Sequence, residues 1–189
     1  VMAPVASWHY IDCSESVVSV VVYEHGFGTI LPENAYIGGV YSPTHNRIYF
    51  VPSGISNEAS WHYIDCSESV ASVVAYEHGF GTTLVQYAYR GGVYSPTQNR
   101  IYFVPEGISN EASWHYIDCS DGIVVDYEHS FGTTITDNAY FGGVYSPTQN
   151  RIYFVPNGIA PVASWHYILP LTSANVNISL MSSPMFNKL

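Results

Sequence analysis

The stretch GGVYSPTQNRIYFVP stands at 91–105 and again, letter for letter, at 142–156; at 38–52 it recurs with His45 in place of the glutamine. A second block, WHYI, begins at Trp8, Trp61, Trp114 and Trp165, at spacings of 53, 53 and 51 residues. A period of this length marks an array of one supersecondary unit, each copy burying its apolar face against the next. The repeat therefore constrains the fold before any single residue does.

Within one unit, 36–50 reads as a hairpin: YIGGVYS, a turn PTHN, then RIYF. Pro43 presets φ in the turn, and Asn46 tolerates the left-handed backbone near its end. A polar connection, SGISNEAS, leads to WHYI, and the turn DCSES leads on to VVSVVVYEH. We name these strand types a (YIGGVYS), b (RIYF), c (WHYI) and d (VVSVVVYEH). No segment has a helical period long enough to assign, and the 17 tyrosines with abundant Val, Ile and Thr favour strands. The expected class is all-β, in four-stranded units.

The order is c-d, then a-b-c-d twice, then a-b-c, with TSANVNISLMSS able to supply a degenerate last d strand. The expected organisation is one repeat domain over 1–189, with a half unit at 1–35 and units at 36–88, 89–139 and 140–189. The leading half unit must pair with something or expose a sheet edge.

The motif resembles the blade of the surface-layer-type, YVTN-like β-propellers. The matching positions in the second unit are Gly92-Val93, Ser95-Pro96, Arg100-Ile101-Tyr102, Ile117-Asp118 and Val124-Val125, and the same blocks recur in the other units to about residue 168. The unit departs by being longer, mostly around YEHGFGTILPEN, and by carrying Pro where an Asn usually follows strand b. The resemblance implies radial four-stranded blades, often on extracellular proteins, and no fixed activity. Propellers close with roughly four to eight blades. Three and a half units thus imply two chains sharing a ring, chains stacking edge to edge into a fibre, or further blades outside this sequence. A three-fold β-trefoil or β-prism is the alternative fold.

Composition narrows the partners. Charged residues are 11% of the chain, the net charge is −10, and Lys188 is the single lysine. Five scattered basic residues make no footprint for nucleic acid or an anionic membrane. No apolar run reaches the ~20 residues of a membrane-spanning helix, and no charged-then-apolar leader opens the sequence. Val1 is not an initiator methionine, so the chain is either processed or a piece of something longer. An extracellular or cell-surface setting is expected from the resemblance and the scarcity of lysine.

The residues that could carry chemistry are nearly all copied into every unit. Cys13, Cys66 and Cys119 each follow the Asp of the "ID" pair, and small reduced thiols are expected, without disulfide or metal. His62 and Cys66 lie about 13 Å apart along a strand at ~3.3 Å per residue, too far to share an ion. His9, His62, His115 and His166, with His25, His78 and His129, are expected to hold units together by hydrogen bonding. Asp12, Asp65 and Asp118 open turns by accepting backbone N–H groups two residues on. Arg47, Arg100 and Arg151 occupy one repeated slot; bonding a neighbouring unit's acid, such as the Glu of YEH, is favoured over ligand binding. No phosphate loop, nucleophile elbow or Walker pattern is present, and no motif calls for a cofactor or metal.

Three classes of function stay open. The first, and the one expected, is a non-enzymatic structural or interaction protein that self-associates through open blade edges into a ring or filament. The second is a multivalent carbohydrate binder, with Trp61, His62, Trp114 and His115 as aromatic platform and hydrogen-bonding neighbour and Arg47, Arg100 and Arg151 as further candidate ligand-binding residues. The third is a propeller enzyme with a central site, for which only the variable loops GTILPENAYI, GTTLVQYAYR and GTTITDNAYF break the symmetry. Asn177, in NIS, is the single N-glycosylation sequon and would carry glycan only in a eukaryotic secreted protein.

Overall fold

The computed structural model describes residues 7–14, 16, 17, 19–25, 31–80, 84–129, 135–157, 164–169 and 177–182. The side chains of Ser7, Ser164, Trp165 and 177–182 lie outside the described set, as do residues 28–30, 81–83 and 132–134 of the variable loops. Among the described residues every regular element is a strand. A leading hairpin consists of β1 (Ser7–Asp12) and β2 (Ser19–Glu24). The first blade holds β3 (Tyr36–Ser42), β4 (Arg47–Pro52), β5 (Ser60–Asp65) and β6 (Ser72–Glu77). The second holds β7 (Tyr89–Ser95), β8 (Arg100–Pro105), β9 (Ser113–Asp118) and β10 (Val124–Glu128). The third holds β11 (Tyr140–Ser146), β12 (Arg151–Pro156), β13 (Ser164–Leu169) and β14 (Asn177–Ser182).

Each blade is an antiparallel meander in sequence order, a-b-c-d. The innermost strands of successive blades, β3, β7 and β11, lie beside one another. The chain is thus built of repeated four-stranded antiparallel sheets in a propeller-like arrangement, rather than the hairpin caps of a trefoil or the three-fold sheets of a prism. Strand b runs two residues further than the RIYF block, because Tyr36 still pairs with Pro52, Tyr89 with Pro105 and Tyr140 with Pro156. Strand d starts at Ser19 rather than Val17.

Local chemistry explains the turns. Asn46, Asn99 and Asn150 sit at φ 52°, 54° and 48°, the left-handed backbone that closes each a-b hairpin. Asp12, Asp65 and Asp118 accept the N–H of Ser14, Ser67 and Ser120 at 2.9, 2.9 and 3.0 Å. A bulge in strand a lies at Ile37, Arg90 and Phe141, so the one extra residue is also the one that differs between units.

The core lies between blades, which is why strands b and c read as nearly continuous apolar runs: both faces of each are covered. Trp61 stacks on His78 at 3.9 Å and meets Phe103 of the next blade edge-on at 5.9 Å. Trp114 repeats this with His129 at 4.0 Å and Phe154 at 5.6 Å. The leading hairpin obeys the same rule, since Trp8 packs on His25 at 4.5 Å and reaches Phe50 at 5.5 Å. Val73 donates its N–H to the His25 carbonyl, as Val124 does to that of His78. β1–β2 therefore occupies the outer half of a blade position preceding the first blade.

Candidate functional site

The b-c register sets the repeated arginines. Arg47 stands opposite Asp65 and Arg100 opposite Asp118, so each meets the acid of its own blade. The ion pairs span 3.8 and 3.5 Å, and each guanidinium lies 4.3 Å over the tyrosine ring two residues before that acid, Tyr63 or Tyr116. This corrects the expectation of an acid from a neighbouring unit, such as the Glu of YEH: the b-c register sets an Asp of the same blade directly opposite each arginine. Arg151 lies 4.6 Å over Tyr167 and donates from Nη1 to the Tyr153 hydroxyl at 3.4 Å. Its cross-strand slot holds Leu169 instead of Asp, and among the described residues it has no carboxylate partner.

Trp61 and Trp114 are wholly buried. Their faces are occupied by histidines, and their indole N–H groups donate to the carbonyls of Ile55 and Ile108 at 3.1 Å. These rings offer no platform to a sugar in the folded chain. Buried with them, His62 and His166 take a hydrogen bond at Nδ1 with Tyr36 and Tyr140, the latter at 2.5 Å. In the middle blade the same atoms, Tyr89 Oη and His115 Nδ1, are buried with no hydrogen bond among the described residues. Burial pushes His115 down to about 4, with Asp126 opposing and His78 reinforcing the shift. Burial also lowers His62, His129 and His166.

The three thiols are free, and their exposure falls along the chain from Cys13, through Cys66, to buried Cys119. Burial raises Cys66 and takes Cys119 up to about 11. A reactive cysteine needs the opposite shift, toward thiolate at neutral pH. Among the described residues no three His, Cys, Asp or Glu side chains are grouped to hold a metal ion. Among the described residues no helix is long and apolar enough to cross a membrane, which says nothing of strands. Asn177 opens β14, opposite Leu169, and its side chain lies outside the described residues.

The singular features lie at the leading hairpin and the third blade. β1 has the same six residues as β5 and β9, SWHYID, yet among the described residues no b strand lies along its inner edge. Tyr10 is 46% exposed where Tyr63 and Tyr116 are 9% and 8%, and Ile11 is 62% exposed where Ile117 and Ile168 are 0%. Asp12 has no cation partner among the described residues. The loss of Asp at 169 was visible in the sequence, as WHYIL against three copies of WHYID, and marks the third unit as different.

Arg90 is the other departure. At the bulge position it pairs with Glu106 at 2.6 Å and lies 4.7 Å from the Phe141 ring of the next blade.

No protein-family model matches the chain, and no curated protein matches its sequence. Among solved structures it is similar to one titled Kuenenia stuttgartiensis Hydrazine Synthase, at 14% identity and a TM-score of 0.46. The similarity covers 78% of this chain and 36% of that one, so this chain spans little more than a third of that structure's length. At that level it carries no argument, and the fold rests on the strand pairing itself.

Proposed function

We propose that this chain is a non-enzymatic interaction protein that works by association through open blade edges. The observation that carries the reading is β1: a strand with the sequence of two buried neighbours, left with one edge and two large side chains in water. An exposed edge of this kind is a template for strand addition. The repeated polar groups of the first two blades support the same reading, because most of them are engaged within the stack. The arginines of the first two blades meet their own acids, burial holds His62, His115, His129 and His166 neutral, and it keeps the Cys66 and Cys119 thiols protonated. None is tuned as a nucleophile or general base.

The finer likeness to surface-layer-type blades, and with it a place outside the cell or on its surface, belongs to this proposal too. It rests on the Gly-Val, Ser-Pro, Arg-Ile-Tyr and Ile-Asp blocks and on the near-absence of lysine.

Ile11→Lys tests the reading. A lysine at this exposed site leaves the single chain as stable as before but places a charge where Ile117 is fully buried. Association in solution should be lost while the melting temperature is kept. Unchanged association in the lysine variant would mean that β1 takes no part in it.

A further inference from the structure

The leading hairpin has two strands where each blade has four, the third blade has all four but no acid opposite its arginine, and three separate features show that what one lacks the other carries. First, β1 carries Asp12 and Tyr10 in the positions where β5 and β9 receive an arginine, while Arg151 in β12 has lost its acid to Leu169. Second, valines of one blade press on a glycine of the next: Val40 and Val51 on Gly92, Val93 and Val104 on Gly143. The third blade's equivalents, Val144 and Val155, are 62% and 46% exposed. At the other end, the three atoms nearest to a Cβ on Gly39 all belong to its own blade, from Ile48, Phe50 and Tyr49. Third, Thr44 donates to Asn99 at 2.6 Å and Thr97 to Asn150 at 2.8 Å, from one hairpin turn to the next. The corresponding ends of that series are Thr148, which is exposed, and Asn46.

We propose that two copies exchange strands to close one six-blade ring. The Val144 and Val155 face of one copy packs on the Gly39 face of the other, as happens twice inside each chain. That contact would bring β13–β14 of the first copy onto the place already held by β1–β2 of the second. One hairpin must yield. β1–β2 is the better partner for β12, because it restores the missing acid: Arg151 opposite Asp12, Ile152 opposite Ile11 and Tyr153 opposite Tyr10 of the second copy. β13, with Leu169, and β14, whose NISLMS departs from the SVVVYE and SVVAYE of other d strands, give way. Each copy then contributes its first two blades and half of each of two composite blades. Counted over the described blades of two copies the ring has six, within the roughly four to eight at which propellers close. The exchange is reciprocal, so the interface is two-fold symmetric and the ring itself closes, with β13–β14 of each copy displaced from it.

This inference rests on the self-association proposed above, and its test separates the two. Asp12→Arg and Arg151→Asp are made in separate full-length chains. Alone, each variant sets like charges against one another at both seams and should dimerise at least about tenfold more weakly, the change that ~1.4 kcal/mol produces. Mixed in equal amounts they should recover a heterodimer, one chain isotopically labelled and the pair weighed by native mass spectrometry. In that heterodimer one seam sets the two substituted side chains together as an opposite-charge pair with its sense reversed. The other seam keeps the original Asp12 and Arg151. Val144→Arg, at a site exposed in the single chain, provides a second route and should weaken the dimer by a similar factor without lowering the melting temperature. Wild-type-like dimers for all three variants would overturn the exchange and leave association by another edge standing. A wild-type chain that stays monomeric would overturn both.

Discussion

Val93 of the second blade lies against Gly143 of the third, its Cγ2 2.9 Å from the point where a Cβ on that glycine would sit. The neighbouring Gly142 has nothing within 4 Å of the same point. One dipeptide therefore holds a blade-to-blade contact and an open position side by side. Gly143→Ala should destabilise the chain by about 1–3 kcal/mol, because a buried β-branched valine has no free rotamer to retreat to. Gly142→Ala should be neutral or stabilise by up to about 1 kcal/mol through the unfolded state. Urea unfolding of the two variants checks the pair.

The tyrosine-histidine contacts give a comparison inside one molecule. Tyr140→Phe removes a hydroxyl bonded to His166 and should cost about 1 kcal/mol. Tyr89→Phe removes a buried hydroxyl with no hydrogen bond among the described residues and should be neutral or stabilising. Equal losses in both variants would mean that the middle blade bonds as its neighbours do.

Stability should depend on acid in a defined window. Burial holds His115 neutral down to about 4, whereas the same side chain in the unfolded chain takes a proton near 6.5. Above pH 6.5 neither state binds that proton and the residue contributes no slope. Between 6.5 and about 4 only the unfolded state binds it, so stability falls as pH falls, by up to about 3 kcal/mol, and levels off below. His62, His129 and His166 are shifted the same way and add to the slope. Thermal melts from about pH 7.5 to 4 should show the decline, and His115→Gln should make it shallower, leaving the part due to the other three histidines.

Tyr87 holds φ 57° in the loop before the second blade, where the equivalent loops use Asn34 and Asn138 at 57° and 56°. Asparagine tolerates this backbone better than tyrosine. Tyr87→Asn should therefore stabilise by on the order of 0.5–1 kcal/mol, and a lower melting temperature would show that the exposed ring does more than the backbone does.

Much of the architecture could be read from the repeat. Pro43 and Asn46 gave the hairpin, Asp65 its turn and the WHYI spacing the unit, because each depends on residues close in sequence. What the sequence concealed depends on how sheets stack. Trp61 resembled a sugar platform until the blade beside it placed Phe103 on its edge and His78 on its face. The partner of Arg47 could not be chosen between Asp and Glu until the b-c register put Asp65 opposite. The position of the leading hairpin follows from Trp8 meeting Phe50, a contact no local pattern encodes. Leu169 is the exception: the signal was local, and it becomes informative only once Asp65 and Asp118 are known to face arginines.

Whether the exposed edge of β1 is used decides how the molecule works. Light scattering on the intact chain, from low to high micromolar concentration, tests this most directly. The expected result is a species of twice the chain mass that dissociates on dilution, and a loss of that species in Ile11→Lys. A sharp peak at the mass of a single chain, persisting at high micromolar concentration, would contradict it.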